Sequence, residues 1–394
     1  MGSIDKQPNG RYRARYRDLN GRSRSQNFAT KGEARRFLDR NSADMQRGDW
    51  VDPTMRRTRF EDWATTWWET TRKLRPSTRR GYHQLLHGHV LPYFTGRRLS
   101  EIDYLDVEQF IAAKLDEGLS AKKVRDAVSV LSMVMRSAVR SNARKDNPAA
   151  GHHIDVPRRK LTSGDVLSMA DVHRLVVAVA DPYKPAVWLM ILTGIRPAEL
   201  CGLRVGAVDF VRHVVHVHET LQPIHAFGDH PYHLVTGPTK TDAGDRRIPI
   251  PEWLTEQLAA MLAERATASS RPVHRDDYLF VRPRGGPLER DKFRQSVIRP
   301  ALRAAGLPDT LRTYDLRHSH ASLLIDRGAN VLAIAQRMGH SDPTVTLRVY
   351  GHLFDGVQEK LTAELDQLRR DSEATLGDGA VVDMHPRRRT GPTA

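Results

Sequence analysis

Five residues of this 394-residue chain combine types and surroundings that could do chemistry. They are Arg196 in Thr193-Gly194-Ile195-Arg196-Pro197-Ala198-Glu199-Leu200, Lys240 in Thr239-Lys240-Thr241, Arg317 in Tyr314-Asp315-Leu316-Arg317-His318, and His340 and Tyr350 in the stretch from Gly339 to His352. Two arginines, a histidine and a tyrosine are what phosphodiester transesterification through a phosphotyrosine needs. Guanidinium forks bind non-bridging phosphate oxygens bidentately and never deprotonate, so they neutralise a pentacoordinate phosphorane. The imidazole hydrogen-bonds it and the phenol is the nucleophile. Glu199 lies three residues after Arg196, one helical turn on, where an ion pair would orient the guanidinium. His318 reads as buried structural support. The linkage conserves bond energy, so no nucleotide or other cofactor is called for, and no glycine is followed by lysine, which excludes a P-loop.

These segments, in this order, resemble the Arg box, the His-x-x-Arg-His box and the Gly-His…Tyr box of the tyrosine recombinases, specifically the phage integrase type. Thr239-Lys240-Thr241 ahead of Arg246-Arg247-Ile248-Pro249-Ile250 resembles the hairpin that carries the family's catalytic lysine. The resemblance spans roughly residues 165 to 365 and implies a 3′-phosphotyrosine intermediate with a 5′-hydroxyl leaving group. Arginine accounts for 50 of the 62 basic residues, so a retained lysine is notable. An ammonium can be tuned to protonate the leaving oxygen and a guanidinium cannot. One position departs from the pattern: Tyr314 stands where the family has a histidine.

Lys+Arg exceed Asp+Glu by 62 − 47 = 15, and the excess runs along the whole chain, a field that favours a polyanion. The single cysteine, Cys201, rules out an intrachain disulfide framework, fits a reducing cytosol and reads as core. The longest apolar run, Ala186 to Leu192, is too short to cross a bilayer. The expected location is the cytoplasm of a bacterial host, on the nucleoid when DNA is bound.

The elements that must position these groups divide the chain into a mainly α fold with small β-sheets (α+β). Residues 1–55 read as a three-stranded sheet plus a helix. Arg11, Arg13, Arg15 and Arg17 alternate with Tyr12, Ala14 and Tyr16, Asn20-Gly21 reads as a type I′ turn, and Thr30…Glu33 has capping-box spacing. By resemblance this is an arm-type DNA-binding domain, its arginine face reading the major groove. Residues 56–150 read as a helical bundle with Phe60, Trp63, Ala64, Trp67 and Trp68 on one apolar face, which by resemblance is the helical core-binding domain. Residues 151–164 are the linker and 165–369 the catalytic domain, with strands near 214–218, 233–240 and 246–250. Asp242 to Asp245 is the expected turn between the last two strands, with Lys240 at its mouth. His216 and His218 alternate with valines as solvent-facing strand residues, and no metal is expected. Residues 370–394 read as a flexible basic tail. Val357, Leu361, Leu365 and Leu368 form a stripe that docks on a neighbouring protomer or on its own domain.

The sequence therefore points to a site-specific recombinase that cuts and rejoins duplex DNA, integrating a phage or mobile element. Core and arm-type attachment sites, a homotetramer on DNA, a host bending protein and an excisionase are the implied partners, with no membrane. Two rivals remain: a catalytically impaired DNA-binding regulator on the same fold, motivated by Tyr314, and a type IB topoisomerase, whose domain order differs.

Overall fold

A computed structural model describes residues 2–19, 21–48, 50–157, 166–354 and 357–376. The expected linker therefore falls partly, and Asn20 and Arg387 to Arg389 wholly, outside the described residues. Tertiary contacts gather into two compact units, residues 1–159 with 224–233, and residues 160–223 with 234–394.

The first unit opens with strands β1 (Ser3–Lys6), β2 (Tyr12–Arg17) and β3 (Ser23–Phe28), an antiparallel sheet in the order β1-β2-β3. The period-2 alternation holds: Ala14 and Tyr16 are buried while Arg15 and Arg17 are exposed. The buried face packs on α1 (Lys31–Arg47), where Phe37 meets the rings of Tyr16 at 5.7 Å and Phe28 at 5.0 Å. Thr30 and Glu33 form the expected capping box, and Gly48 closes the helix in the left-handed region. The β2–β3 turn is longer than the type I′ expectation. Arg17 pairs with Ser23, the Asp18 amide donates to Arg22 O, and the Asp18 carboxylate accepts from Arg24 across the turn.

Five helices follow: α2 (Phe60–Thr70), α3 (Pro76–Leu85), α4 (Leu91–Phe94, reached through a π turn), α5 (Tyr104–Asp116) and α6 (Ala121–Arg140). Phe60, Ala64 and Trp67 are buried with Phe94, Phe110, Leu131 and Met135. Trp63 is partly buried and donates from Nε1 to Ser137 Oγ at 2.8 Å, the partner a buried indole requires. The aromatic face is core, each fully buried ring stabilising by roughly 1.5 to 3 kcal/mol.

The second unit is built on α7 (Met169–Ala178), α8 (Lys184–Thr193) and α9 (Pro197–Gly202). Strands β4 (Val208–Asp209), β5 (Val214–Val217), β6 (Glu219–Ile224), β7 (His233–Pro238) and β8 (Arg246–Pro249) come next. Helices α10 (Glu252–Ser269), α11 (Arg290–Phe293), α12 (Arg299–Ala304), α13 (Asp315–Asp326), α14 (Val331–Met338), α15 (Pro343–Tyr350) and α16 (Val357–Leu376) complete it. Helix α8 has no polar face: seven of its ten residues are buried, so it runs through the core. Cys201 is buried there too, which pushes its thiol up to about 12.

The structure departs from the sequence reading at two further places. β7 pairs with β6, and β8 with β5. Asp242–Gly244 does form a turn, but the strands on either side belong to different sheets, so Lys240 sits on a connection rather than at a hairpin mouth. Period-2 patterning identifies strands without naming their partners. The C-terminal helix also continues to Leu376, beyond the expected start of the tail, and Leu361, Leu365 and Leu368 are exposed on it.

Candidate active site

Helix ends bring Arg196, Arg317, His340 and Tyr350 together in the second unit, with Arg246 added from a strand. Helix α8 stops at Gly194, whose φ of 63° an L side chain resists, and the chain turns so that Arg196 sits directly before Pro197 of α9. A Cβ on Gly194 would also lie 2.4 Å from the His320 ring. Arg196 donates from Nη1 to Glu199 Oε1 at 2.6 Å and from Nη2 to Gly339 O at 2.9 Å, while its amide donates to Glu199 Oε2 at 3.0 Å. Burial opposes the charged form of Glu199, but Arg246 and Arg196 outweigh it and hold the carboxyl below its usual range. The sequence assigned Glu199 this orienting contact.

Arg317, on α13, is fully buried. It donates from Nη1 to Gly194 O and from Nη2 to Met338 O at 2.6 Å, and its Nε has no partner among the described residues. Burial and the nearby Arg196 lower it to about 10, so it remains a cation at neutral pH. Arg246, on β8, donates from Nε to Arg337 O at 2.7 Å, from Nη1 to Gly244 O at 2.9 Å and from Nη2 to Glu199 Oε2 at 3.0 Å. Three consecutive carbonyls at the end of α14, those of Arg337, Met338 and Gly339, thus each accept from a different arginine. A helix C-terminus presents unpaired carbonyls and the negative end of its dipole, and here both are satisfied by guanidinium groups. Gly339 has no room for a side chain, since a Cβ would lie 2.7 Å from Ala243 O. Arg246 received no role from the sequence. Nothing in its spacing marks it, because its partners are backbone groups brought in by the fold.

His340 follows that turn. Its Nδ1 lies 2.8 Å from Thr346 Oγ1, and burial followed by Arg317, Arg196 and Arg246 lowers the ring to about 4. It is therefore neutral at pH 7, with Nδ1 engaged by Thr346 Oγ1. Asp342 caps α15 by accepting the Thr344 amide at 2.8 Å. Tyr350 ends that helix, its ring packed with Ala321, Ile325, Ile334 and Met338 and its hydroxyl 2.7 Å from His318 Nδ1. Burial pushes the phenol well above its ordinary value, against the pull of Arg317. His318 is half-buried rather than buried, and it touches the phenol directly. Tyr314 is 40% exposed and meets the edge of His318, ring centroids 5.1 Å apart. A pocket of about 420 Å³ opens between Tyr314 and Arg196, with Arg290, Arg294 and Arg312 on its walls and Asp291 among them.

Lys240 is exposed, and among the described residues no hydrogen bond or ion pair joins it to this cluster. In the first unit Arg13 donates to Asn27 at 3.3 Å, Arg15 pairs with Asp5 at 3.1 Å, Arg17 donates to Gly21 O, and Arg11 is exposed. Among the described residues no group of three or more His, Cys, Asp or Glu gathers as a metal site, and no helix is long and apolar enough to cross a membrane.

Comparison with known proteins places these elements in a family. Residues 165–356 match the phage integrase family, residues 1–47 the phage integrase N-terminal domain, and residues 59–115 the phage integrase N-terminal SAM-like domain. A putative prophage phiRv2 integrase of Mycobacterium tuberculosis is 27% identical over 385 residues, 95% of this chain and 97% of the relative. The fold is similar to that of the Tn1549 transposon integrase in complex with transposon right end DNA, with a TM-score of 0.64 at 20% identity over 78% of this chain and 99% of that one. It is also similar to a lambda integrase tetramer bound to a Holliday junction, with a TM-score of 0.56 at 16% identity over 88% of this chain and 94% of that one. The chain belongs to the phage integrase family of tyrosine recombinases, enzymes that cleave and rejoin DNA.

Proposed function

We propose that this recombinase integrates a phage or mobile element by attack of Tyr350 on a DNA phosphodiester. The observation that carries the reading is the convergence of Arg196, Arg317, His340 and Tyr350 on the end of α14 and the helix that follows it. Arg196 and Arg317 balance the charge of the phosphorane, and neutral His340 donates from Nε2 to a phosphate oxygen. Lys240 protonates the 5′-oxygen as it leaves, which requires its exposed connection to close on bound DNA. The product is a 3′-phosphotyrosine, and the reverse reaction on a new 5′-hydroxyl seals the exchanged strand without a cofactor. Tyr314 supports the phosphate as a hydrogen-bond donor or packs beside it.

Residues 1–55 read arm-type sites through Arg11, Arg13, Arg15 and Arg17, residues 56–150 clamp the core site, and residues 165–369 cut it. Four protomers assemble on two core sites in the host cytoplasm, a reading supported by the fold shared with the lambda integrase tetramer. The stripe on α16 contributes a contact between protomers, and a host bending protein and an excisionase set the direction. The test is a nicked suicide duplex, which traps the covalent complex. Tyr350→Phe keeps DNA affinity and traps nothing; covalent complex formed by that variant would overturn the assignment. An unaltered chain that binds but never cleaves would favour the regulator instead.

A further inference from the structure

We propose that His318 is the general base that takes the proton of Tyr350 during cleavage and returns it during rejoining. The proposal rests on the reading of Tyr350 as the nucleophile. Tyr350 is buried in a cluster with Ala321, Ile325, Ile334 and Met338, and its hydroxyl lies 2.7 Å from His318 Nδ1. That is hydrogen-bond reach for direct proton transfer. Helix α13 supplies Arg317 and His318 at consecutive positions. One turns into the core toward the end of α14 and the other toward the phenol, so charge balance and proton removal come from one rigid element.

Other acceptors near the phenol are otherwise engaged. The His340 ring is bound at Nδ1 to Thr346. The buried Asp315 carboxylate accepts from Arg312 and from the Arg312 amide. Tyr314 is itself a phenol, a poor proton acceptor at neutral pH, whereas imidazoles change charge between about pH 5 and 8. A burial-raised phenol makes a base more necessary, because the fraction ionised without one is smaller. Among the described residues the groups facing His318 include Tyr314 across its ring edge, Tyr350 at Nδ1, and His340, whose ring feels its charge.

In the cleavage step the Tyr350 O–H bond breaks and its proton goes to Nδ1, leaving Nε2 protonated as well. The phenolate oxygen bonds to phosphorus, and the phosphorus–O5′ bond breaks with its electron pair on O5′, which takes a proton from the general acid. Rejoining runs these transfers backward, with His318 as the acid that protonates the departing phenolate. A histidine already protonated cannot accept, so cleavage should be lost wherever His318 carries a proton.

The experiment is single-turnover cleavage of the nicked suicide duplex by the full chain from pH 5 to 8, with His318→Ala and His318→Gln. Both variants should bind DNA as the parent does, cleave on the order of 10² to 10⁴-fold more slowly, and lose the parent's acid limb. Free imidazole should restore His318→Ala in proportion to its unprotonated fraction and leave His318→Gln unchanged. Cleavage within threefold of the parent by either folded variant overturns the proposal. Faster cleavage also overturns it and makes the contact a brake on the nucleophile. Should neither variant fold, His318→Asn takes their place, with the same outcomes supporting or overturning the proposal. Failure of the nucleophile reading is separately visible, as covalent complex formed by Tyr350→Phe.

Discussion

Lys240→Ala is the sharpest residue-scale test, because the lysine is exposed and its proposed role exists only on DNA. The variant should be slow on ordinary DNA and recover on a substrate whose 5′-bridging oxygen is sulfur, which leaves without an acid. Equal defects on both substrates would assign Lys240 to binding. His320 offers a second test, this one of stability. It is buried with Nδ1 2.7 Å from Ile191 O, and burial followed by Arg337 lowers it from 6.5 to about 3. The unfolded chain then binds more protons than the native one between those values. The stability from keeping the ring neutral is complete above about pH 6.5 and is lost as pH falls toward 3. The loss should be on the order of a few kcal/mol, and His320→Gln should narrow the gap in denaturant stability between pH 7 and pH 4. An unchanged gap would show that His320 does not control the acid limb.

At the scale of elements, the turn after α14 is where the site is assembled, and Arg246 holds it from the β8 side. Arg246→Ala removes the guanidinium from the Arg337 and Gly244 carbonyls and leaves Glu199 Oε2 with the Arg196 amide but no second cation. It should destabilise the fold by about 3 kcal/mol, as removing one partner of a buried pair does. Arg246→Lys keeps the charge, but a single ammonium nitrogen cannot span acceptors that Arg246 reaches with three separate nitrogens, so it should recover stability only in part while cleavage stays impaired. Thermal unfolding and suicide-substrate cleavage, measured side by side, check this. If Arg246→Ala is as stable and as active as the parent, the three-arginine arrangement is incidental. Much of this element scale was legible in advance: the capping box at Thr30, the apolar face of α2 and the strand alternation around Val215 and Val217 follow from local spacing. The pairing of β8 with β5 was not, because register and partner depend on which apolar faces meet in the core.

At the scale of the whole molecule, the net charge of +15 and the arginine-lined pocket beside Tyr314 suit a polyanion, and affinity for DNA should fall steeply with salt. Deleting residues 1–55 should leave core-site cleavage intact, abolish integration between full-length sites, and flatten the salt dependence on arm DNA by about 0.9 log-log units per lost phosphate contact. Gel-shift titrations at several salt concentrations and an integration assay measure both. An unchanged slope would return Arg11, Arg13, Arg15 and Arg17 to a solvated surface, a status their contacts with Asn27, Asp5 and Gly21 already permit.

The sequence by itself determined the family, and with it the residues proposed to carry the chemistry. Reactive side chains are specified by type, and the boxes around Arg196, Arg317, His340 and Tyr350 keep those types at recognisable spacing. It also determined the mainly α fold with small sheets, since periodicity of 3.6 or 2 is written in local apolar order. Tertiary structure alone decided which groups share a hydrogen bond. Tyr350 and His318 lie 32 positions apart and Arg246 and Arg337 91 apart, and nothing in the chain between them encodes a 2.7 Å contact. Such contacts arise when helix ends expose carbonyls and the core chooses which long side chains reach them, so His318 read as support and Arg246 as an ordinary strand residue until the chain was folded.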